Sequence, residues 1–332
     1  MTKWNPGSMI NFQFSLSFGL LLVLVTLLNA KTKCYHCGLE ISDDYVMFEG
    51  KSYHKACYEE HVQLRCDHCG ETIEGQFNIA DGKNYHPDCY RDNILQKCDI
   101  CGDPLQGRYY TDYWGNSYHL SHPRDYPECS SCGRLICESL TSGGYKLSDG
   151  RHICTICNET AVTNEYQVES SMRYVRRLLA SNHISELPEH IPVSLVDQGR
   201  LKRVSSLYSD AMKGFTDHNM NSRNGVVVSK ESHIYILSDL PQTMFRAVLA
   251  HELLHVYLFD RSLDLRSDIR EGFCNLGSEL VYRESASRFA KYQLVNMVES
   301  PDPDYGAGYR KMSDLLARRG WKLLLSELVG IH

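Results

Sequence analysis

Cysteine and histidine recur through residues 34 to 157 at intervals that suit a tetrahedral metal. Cys34 and Cys37 are followed by His54 and Cys57, and Cys66 and Cys69 by His86 and Cys89, with sixteen residues between the pairs in both cases. Cys98 and Cys101 pair with His119 and His122 across seventeen residues, and Cys129 and Cys132 with Cys154 and Cys157 across twenty-one. A two-residue gap lets one tight turn set both side chains on a single Zn²⁺, and the second pair closes the site. Sixteen ligands therefore make four sites with every position filled by protein, and such metals are structural. Segments this short have too little core to fold unaided; zinc binding at roughly 10–16 kcal/mol per site supplies the folding energy. A disulfide framework would leave the regular His positions without a purpose. Cys137 is left over and could replace Cys132, and His152 could compete with Cys154, so the fourth site carries alternatives. His36 and His68, inside the Cys-x-His-Cys turns, read as surface side chains rather than ligands.

A second arrangement lies further on, in Met244-Phe-Arg-Ala-Val-Leu-Ala-His-Glu-Leu-Leu-His255. His251 and His255 are four apart, so on a helix both imidazoles leave one face at zinc-binding separation, and Glu252 stands where it can take a proton from water. Composition alone would produce this pattern about 0.04 times in a chain of this length. The next helical stretch offers Glu271 as a third ligand, which leaves one position open for chemistry; Asp264 and Asp268 compete for the role. Asn275, one turn beyond Glu271, could hydrogen-bond a ligand. Cys274 reads as core, and Tyr282, Tyr305 and Tyr309 are candidates to steady an oxyanion.

These residues need elements to hold them. Between the paired ligands lie short aromatic hairpins, Phe77 to Tyr85 and Tyr109 to Tyr118, with Asp-Gly and Gly-Asn turns. After Cys157 the cysteine spacing stops, and Tyr166 to Ala180 shows helical periodicity through Val168, Met172, Val175 and Leu178/Leu179. Ile191 to Val196 and Ile234 to Leu237 are short strand candidates, with a turn at Asn221 to Gly225. Asp239-Leu-Pro-Gln242 has the form of a capped helix start leading into the His251 segment, and a further helix is expected from about Asp268 to Ala290. The fold class is thus α+β, with small zinc-bound hairpin units ahead of a separate domain.

The chain has 332 residues at 42% hydrophobic, long enough for two domains. With 35 Lys and Arg against 41 Asp and Glu it carries a formal charge of -6, and twelve thiolates with four Zn²⁺ take it to about -10. No basic run occurs, so no nucleic-acid partner is expected. Phe14 to Leu28 is a Leu-rich run of 15 flanked by Lys3 and Ala30, shorter than the roughly 20 residues of a spanning helix, and reads as a signal-peptide core with cleavage near Ala30. Lys31 and Lys33 just beyond could instead make it an uncleaved anchor. Export, periplasmic or secreted, is the expectation, with a membrane-anchored or cytoplasmic location as the alternative.

Two fingers in tandem, the first closed by His-x2-Cys or His-x2-His, resemble LIM domains. Here eight residues separate Cys57 from Cys66 and Cys89 from Cys98, and six separate His122 from Cys129, where LIM domains leave two. With the His-Glu-x-x-His helix following, the chain resembles the LIM-domain zinc peptidases whose plant members are ubiquitin-activated regulators of organ size and whose bacterial relatives carry an N-terminal hydrophobic segment. The stretches that carry the resemblance are His54-Lys-Ala-Cys-Tyr58, Lys97-Cys-Asp-Ile-Cys101, Asp149-Gly-Arg-His-Ile-Cys-Thr-Ile-Cys157, Leu249-Ala-His-Glu-Leu-Leu-His255, Glu271-Gly-Phe-Cys274 and Tyr305-Gly-Ala-Gly-Tyr-Arg310. The resemblance implies Glu271 as third ligand and a zincin-like domain in which the strand before the catalytic helix lines the substrate groove. The ubiquitin-interacting helices of the plant members have no counterpart ahead of Cys34, so ubiquitin activation is not carried over.

The resulting organisation is a signal peptide or anchor over 1–30, LIM-like finger pairs over 31–93 and 94–160, and a peptidase domain over 161–332. The expected function is a zinc endopeptidase, with four structural zincs, one catalytic zinc and Glu252 as general base. Its substrate is protein or peptide, the fingers offer a surface for a protein partner, and a membrane is involved only if the first segment stays uncleaved. The alternative is a LIM-type interaction scaffold with an inert peptidase domain.

Overall fold

The computed structural model describes residues 32–205, 209, 211–223 and 226–328. The apolar run Phe14 to Leu28 lies outside them, and no helix among the described residues is long and apolar enough to cross a membrane. The chain is a mixed α+β protein.

Its first part repeats one small unit four times. Two short antiparallel strands pair as Tyr45–Phe48 with Lys51–His54, Asn78–Ala80 with Lys83–Tyr85, Tyr109–Thr111 with Ser117–His119, and Gly144–Lys146 with His152–Cys154. In the second unit the Asp-Gly turn has φ of 49° at Asp81 and 74° at Gly82, the left-handed pair that a two-residue hairpin turn requires. Each second strand runs into a short helical turn, namely Lys55–His61, Pro87–Cys89, His122–Asp125 and Thr155–Asn158. The strand end and the turn thus deliver the second pair of Cys or His from a fixed place in every repeat. By its contacts the described chain divides into two compact units, one of 32–111 and Ser117–Leu120, the other of Asp112–Asn116 and 121–328.

Within the second unit, helix α1 (Glu165–Ser181) is capped by the Asn164 side chain, which accepts from the Gln167 N–H, and it buries Val168, Val175 and Leu179. A three-stranded sheet follows, in the order β1 (Val193–Val196), β3 (Val226–Leu237), β2 (Gly214–Arg223). Strand β1 runs parallel to β3 and β2 antiparallel to it. A short helix, α2 (Gln198–Val204), lies between β1 and β2 in the chain. Helix α3 (Gln242–Asp260) packs under the sheet and against α4 (Ser267–Ser285), and α5 (Arg288–Glu299) and α6 (Tyr309–Leu328) complete the described residues. Helix α6 is broken at Gly320, whose φ of 71° is not helical.

Three expectations about these elements change. Asn221 to Arg223 is strand rather than turn, because the β2–β3 ladder continues to the Arg223 and Val226 pair; Asn224 and Gly225 lie outside the described residues. Asp239 does not cap α3. Leu240–Pro241 pairs with Ala161–Val162, which holds Asp239 at a φ of 62° and starts the helix at Gln242. The helix expected from Asp268 to Ala290 is two helices, since Ala286 takes a left-handed φ of 48° and the Ser287 hydroxyl caps α5 by accepting from the Ala290 N–H at 3.1 Å.

The fourth hairpin is fastened into this unit by polar contacts. Arg151 donates to the Ser238 carbonyl at 3.0 Å and pairs with Asp149 at 2.9 Å, and Asp149 accepts from the Gln198 N–H at 3.0 Å. Trp114, in the segment Asp112–Asn116, donates from its indole to the Cys132 carbonyl at 3.0 Å and lies 5.4 Å from the Tyr292 ring of α5.

Candidate metal centres

Cys34, Cys37, His54 and Cys57 bring their donor atoms within 4.8 Å of one another, as do Cys66, Cys69, His86 and Cys89, then Cys98, Cys101, His119 and His122, and then Cys129, Cys132, Cys154 and Cys157. The first imidazole of each of the three histidine-containing groups is aimed alike. His54, His86 and His119 turn Nδ1 toward the Cys37, Cys69 and Cys101 sulfurs at 3.4, 3.4 and 3.5 Å. Their Nε2 atoms face the backbone carbonyls of Glu40, Thr72 and Pro104 at 3.2, 3.0 and 3.3 Å. A carbonyl can only accept, so Nε2 carries the proton and Nδ1 is left as a ligand. Burial acts against thiolates at Cys34, Cys66 and Cys98, yet backbone N–H groups from the second ligand pair and the turn outweigh it and pull each down to about 6. Donor chemistry and spacing fit zinc.

The turns also carry a glycine signal in the sequence. A glycine follows the second Cys each time, and Gly38, Gly70, Gly102 and Gly133 all have φ between 69° and 80°, with the N–H returned to the first Cys carbonyl at 2.8–2.9 Å. Cys137 stands apart from the fourth group, and its carbonyl accepts from the Thr141 hydroxyl. His152 is likewise outside that group.

The second arrangement is assembled by α3 and α4. His251 Nε2 and His255 Nε2 lie 3.1 Å apart, and Glu271 Oε2 is 3.4 Å from both. Three donors about 2.0–2.2 Å from one ion in tetrahedral directions stand roughly 3.3–3.5 Å from each other, so this triangle has the size zinc needs. Glu271 Oε1 accepts from Arg270 at 3.3 Å, while Oε2 is buried with no hydrogen-bond partner. Burial works to raise the Glu271 carboxyl, but the two imidazoles overcome it and hold it well below the usual range.

His251 is oriented from behind. The Asn275 amide donates to the Tyr305 carbonyl at 2.9 Å, which turns its oxygen toward His251 Nδ1 at 3.0 Å, and that nitrogen must then be the donor. Nε2 is free to ligate. The glycines of the segments around Glu271 and Tyr305 explain how these residues meet: a Cβ on Gly272 would collide with the Gly308 carbonyl, and one on Gly308 with the Asp268 carbonyl. Without side chains there, the backbones close up and Tyr305 comes to stack on His251, with ring centroids 6.0 Å apart.

Of the other candidates, Asp268 is bound by Arg266 at 2.6 Å and lies near Lys311, and its hydrogen bond with Arg266 pulls its carboxyl down to about 2. Asp264 is exposed. Tyr282 and Tyr309 are buried in the core, Tyr309 with Glu279 as a charged neighbour, so only Tyr305 of the three faces the triangle. Cys274 is buried as expected, but its sulfur also lies within 4.8 Å of imidazole nitrogens of His251 and His255. Burial raises that thiol well above its ordinary value, so Glu271 is the better anionic donor.

The strand that reaches Glu252 is not the one directly before α3. Strand β3 occupies the middle of the sheet, and the edge strand β2 makes the contact. The Thr216 hydroxyl donates to Glu252 Oε2 at 2.6 Å, and Gly214 lies so close that a Cβ there would stand 2.7 Å from Glu252 Oε1. Pattern reading missed both residues because their segment precedes the strand it identified.

No family model matches the chain. Curated proteins do. Protein DA1-related 2 of Arabidopsis thaliana is 27% identical over 201 residues, 49% of this chain and 36% of that protein. Protein DA1-related 1 of the same plant is 24% identical over 226 residues, 57% of this chain and 39% of its own length. The LIM domain-containing protein HDR3 of Oryza sativa subsp. japonica is 25% identical over 205 residues, 51% of this chain and 39% of that protein. The match therefore spans well under half the length of these relatives. At this low identity the homologues are DA1-related and LIM domain-containing plant proteins, and the chain is related to that family.

Proposed function

We propose that the C-terminal unit is a zinc-dependent endopeptidase and that the LIM-like fingers recruit protein. The observation that carries the first part is the triangle of His251, His255 and Glu271, sized for zinc, with a buried carboxylate oxygen that faces only the two imidazoles and a second carboxylate, Glu252, beside it. Zinc in such a site supplies Lewis acidity to a water and to a scissile carbonyl. Glu252 accepts the proton of the attacking water and returns it to the leaving amine. Tyr305 is half-exposed beside His251; burial, and after it the charges of Glu271 and Glu252, keep its phenol protonated above the ordinary tyrosine range. It is the donor placed to meet an oxyanion. Asn275 holds His251 in the ligating tautomer. The proposal agrees with the zincin-like domain that the sequence resemblance implies.

Recruitment by the fingers is supported by the large apolar side chains they expose, Tyr35, Leu39, Met47 and Ile79, and by the LIM domain in a relative's name. The proposed complement is four structural zincs and one catalytic zinc, supported by the four finger groups and the His251, His255 and Glu271 triangle. The run Phe14 to Leu28 is proposed to direct export, with a mature chain beginning near Lys31; N-terminal sequencing that returns an intact Met1 would reject cleavage.

Proteolysis of an unfolded protein by wild type and Glu252→Gln tests the enzyme reading. The amide keeps the shape of the carboxylate but cannot take a proton, so hydrolysis should fall about 10²- to 10⁴-fold with metal content unchanged. Equal cleavage by both proteins rejects Glu252 as base, and a scaffold with an inert domain expects cleavage by neither.

A further inference from the structure

We infer that Thr216 is a positioning residue that fixes the direction of the Glu252 carboxylate, an inference that rests on the peptidase reading. A glutamate has three rotatable side-chain bonds, and nothing in a His-Glu-x-x-His helix by itself selects the one arrangement in which an oxygen faces the water. Here the selection comes from β2. The Thr216 hydroxyl donates to Glu252 Oε2 at 2.6 Å and stands 3.3 Å from the Glu252 backbone carbonyl. Both residues are buried, at 7% and 4% exposure, so water cannot substitute for the hydroxyl. Gly214, two residues earlier and on the same face of β2, adds no side chain and lets Oε1 approach the strand backbone.

The anchor is rigid. Thr216 is β-branched, with few χ1 choices, and its backbone pairs with that of Ile234, a fully buried residue at the centre of the sheet. A hydrogen bond to one oxygen of a carboxylate leaves the other as proton acceptor. The sheet, through Thr216, therefore sets which oxygen of Glu252 acts and where it points. Valine at this position keeps the shape of threonine and removes the donor, leaving Oε2 buried without a partner and free to rotate away. Misplacement of a reacting group on the ångström scale costs up to about a hundredfold in rate.

Zinc-loaded full-length protein provides the test, with kcat, KM, zinc content and the Glu252 carboxylate stretch measured together. The infrared band is isolated as the difference between wild type and Glu252→Gln in glutamate-¹³C-labelled samples, and it is read without any turnover. Thr216→Val should lower kcat about ten- to hundredfold at unchanged KM and zinc content and shift the band toward an unbonded carboxylate. Thr216→Ser, which restores the hydroxyl, should return both. Wild-type kcat in Thr216→Val, or an unmoved band, overturns the inference. So does a loss that Thr216→Ser fails to restore or that follows zinc loss, because packing then explains it. Should Glu252→Gln cleave as well as wild type, the general-base reading fails on its own account, while the band still reports whether Thr216 holds the carboxylate.

Discussion

The four Cys and His groups and the His251, His255 and Glu271 triangle are both metal-donor constellations, yet they are built on different scales. Each finger group draws four donors from 24 to 29 consecutive residues, and one turn with one strand end suffices to bring them together. The triangle takes two donors from α3 and one from α4, and Glu271 stands 16 residues beyond His255 on a helix of its own. Four protein donors leave no room for substrate, whereas three leave one direction open. A site that only holds its fold together can be local; the site proposed to do chemistry draws on two helices and a sheet, which keep one position vacant and surrounded.

The largest expected effect breaks the local kind. Cys129, Cys132, Cys154 and Cys157 are all buried and share an apolar cluster with Trp114, Ile136 and Tyr292, unlike the first three groups, in which one cysteine is exposed. Cys154→Ser should remove one zinc and a large part of the roughly 10–16 kcal/mol that binding it supplies. Calorimetry should then find the C-terminal unit unfolding at a much lower temperature, whereas Cys37→Ser should leave that transition in place. Equal transitions in the two variants would erase the distinction between the fourth group and the first.

Next comes the triangle itself. Glu271→Ala should weaken the fifth zinc by more than the roughly 10- to 100-fold that losing a supporting hydrogen bond costs, with four zincs per chain retained after competition with a chelator. Loss of all five would mean that the two kinds of site are not independent. Asn275→Ala removes only the partner of His251 Nδ1, and the same titration should report a drop of about 10- to 100-fold. The smallest effect sharpens the choice of third donor: Cys274→Ala should keep the fifth zinc and cost about 1 kcal/mol of packing. Loss of the metal there would make the thiol, not Glu271, the donor.

The same difference of scale decides what was legible beforehand. Spacing was enough to group the sixteen finger residues as the structure groups them, because a Cys-x2-Cys turn is set within five residues. Helical periodicity placed His251 and His255 on one face of α3 for the same local reason. Thr216 was invisible, since its contact with Glu252 spans 36 residues and depends on β2 being the sheet edge. The ends of elements were misread where a neighbour intervened, as at Asp239, whose capping role is pre-empted by the pairing of Leu240–Pro241 with Ala161–Val162. Tyr305 could be separated from Tyr282 and Tyr309 only when the contact between Gly272 and Gly308 was visible.

The pair Asp149 and Arg151 has a practical consequence for dissecting the molecule. Arg151 caps the Ser238 carbonyl just ahead of α3, and Asp149 receives the first N–H of α2. A fragment begun at the end of the last cysteine pair would discard both and leave those two backbone groups without their partners, together with bare apolar faces on Tyr292 and Phe289. The shortest piece that keeps these contacts around the proposed active site therefore starts upstream of Cys129. Expression trials, inhibitor screens and crystallisation of the proposed catalytic half should carry the fourth zinc along with it.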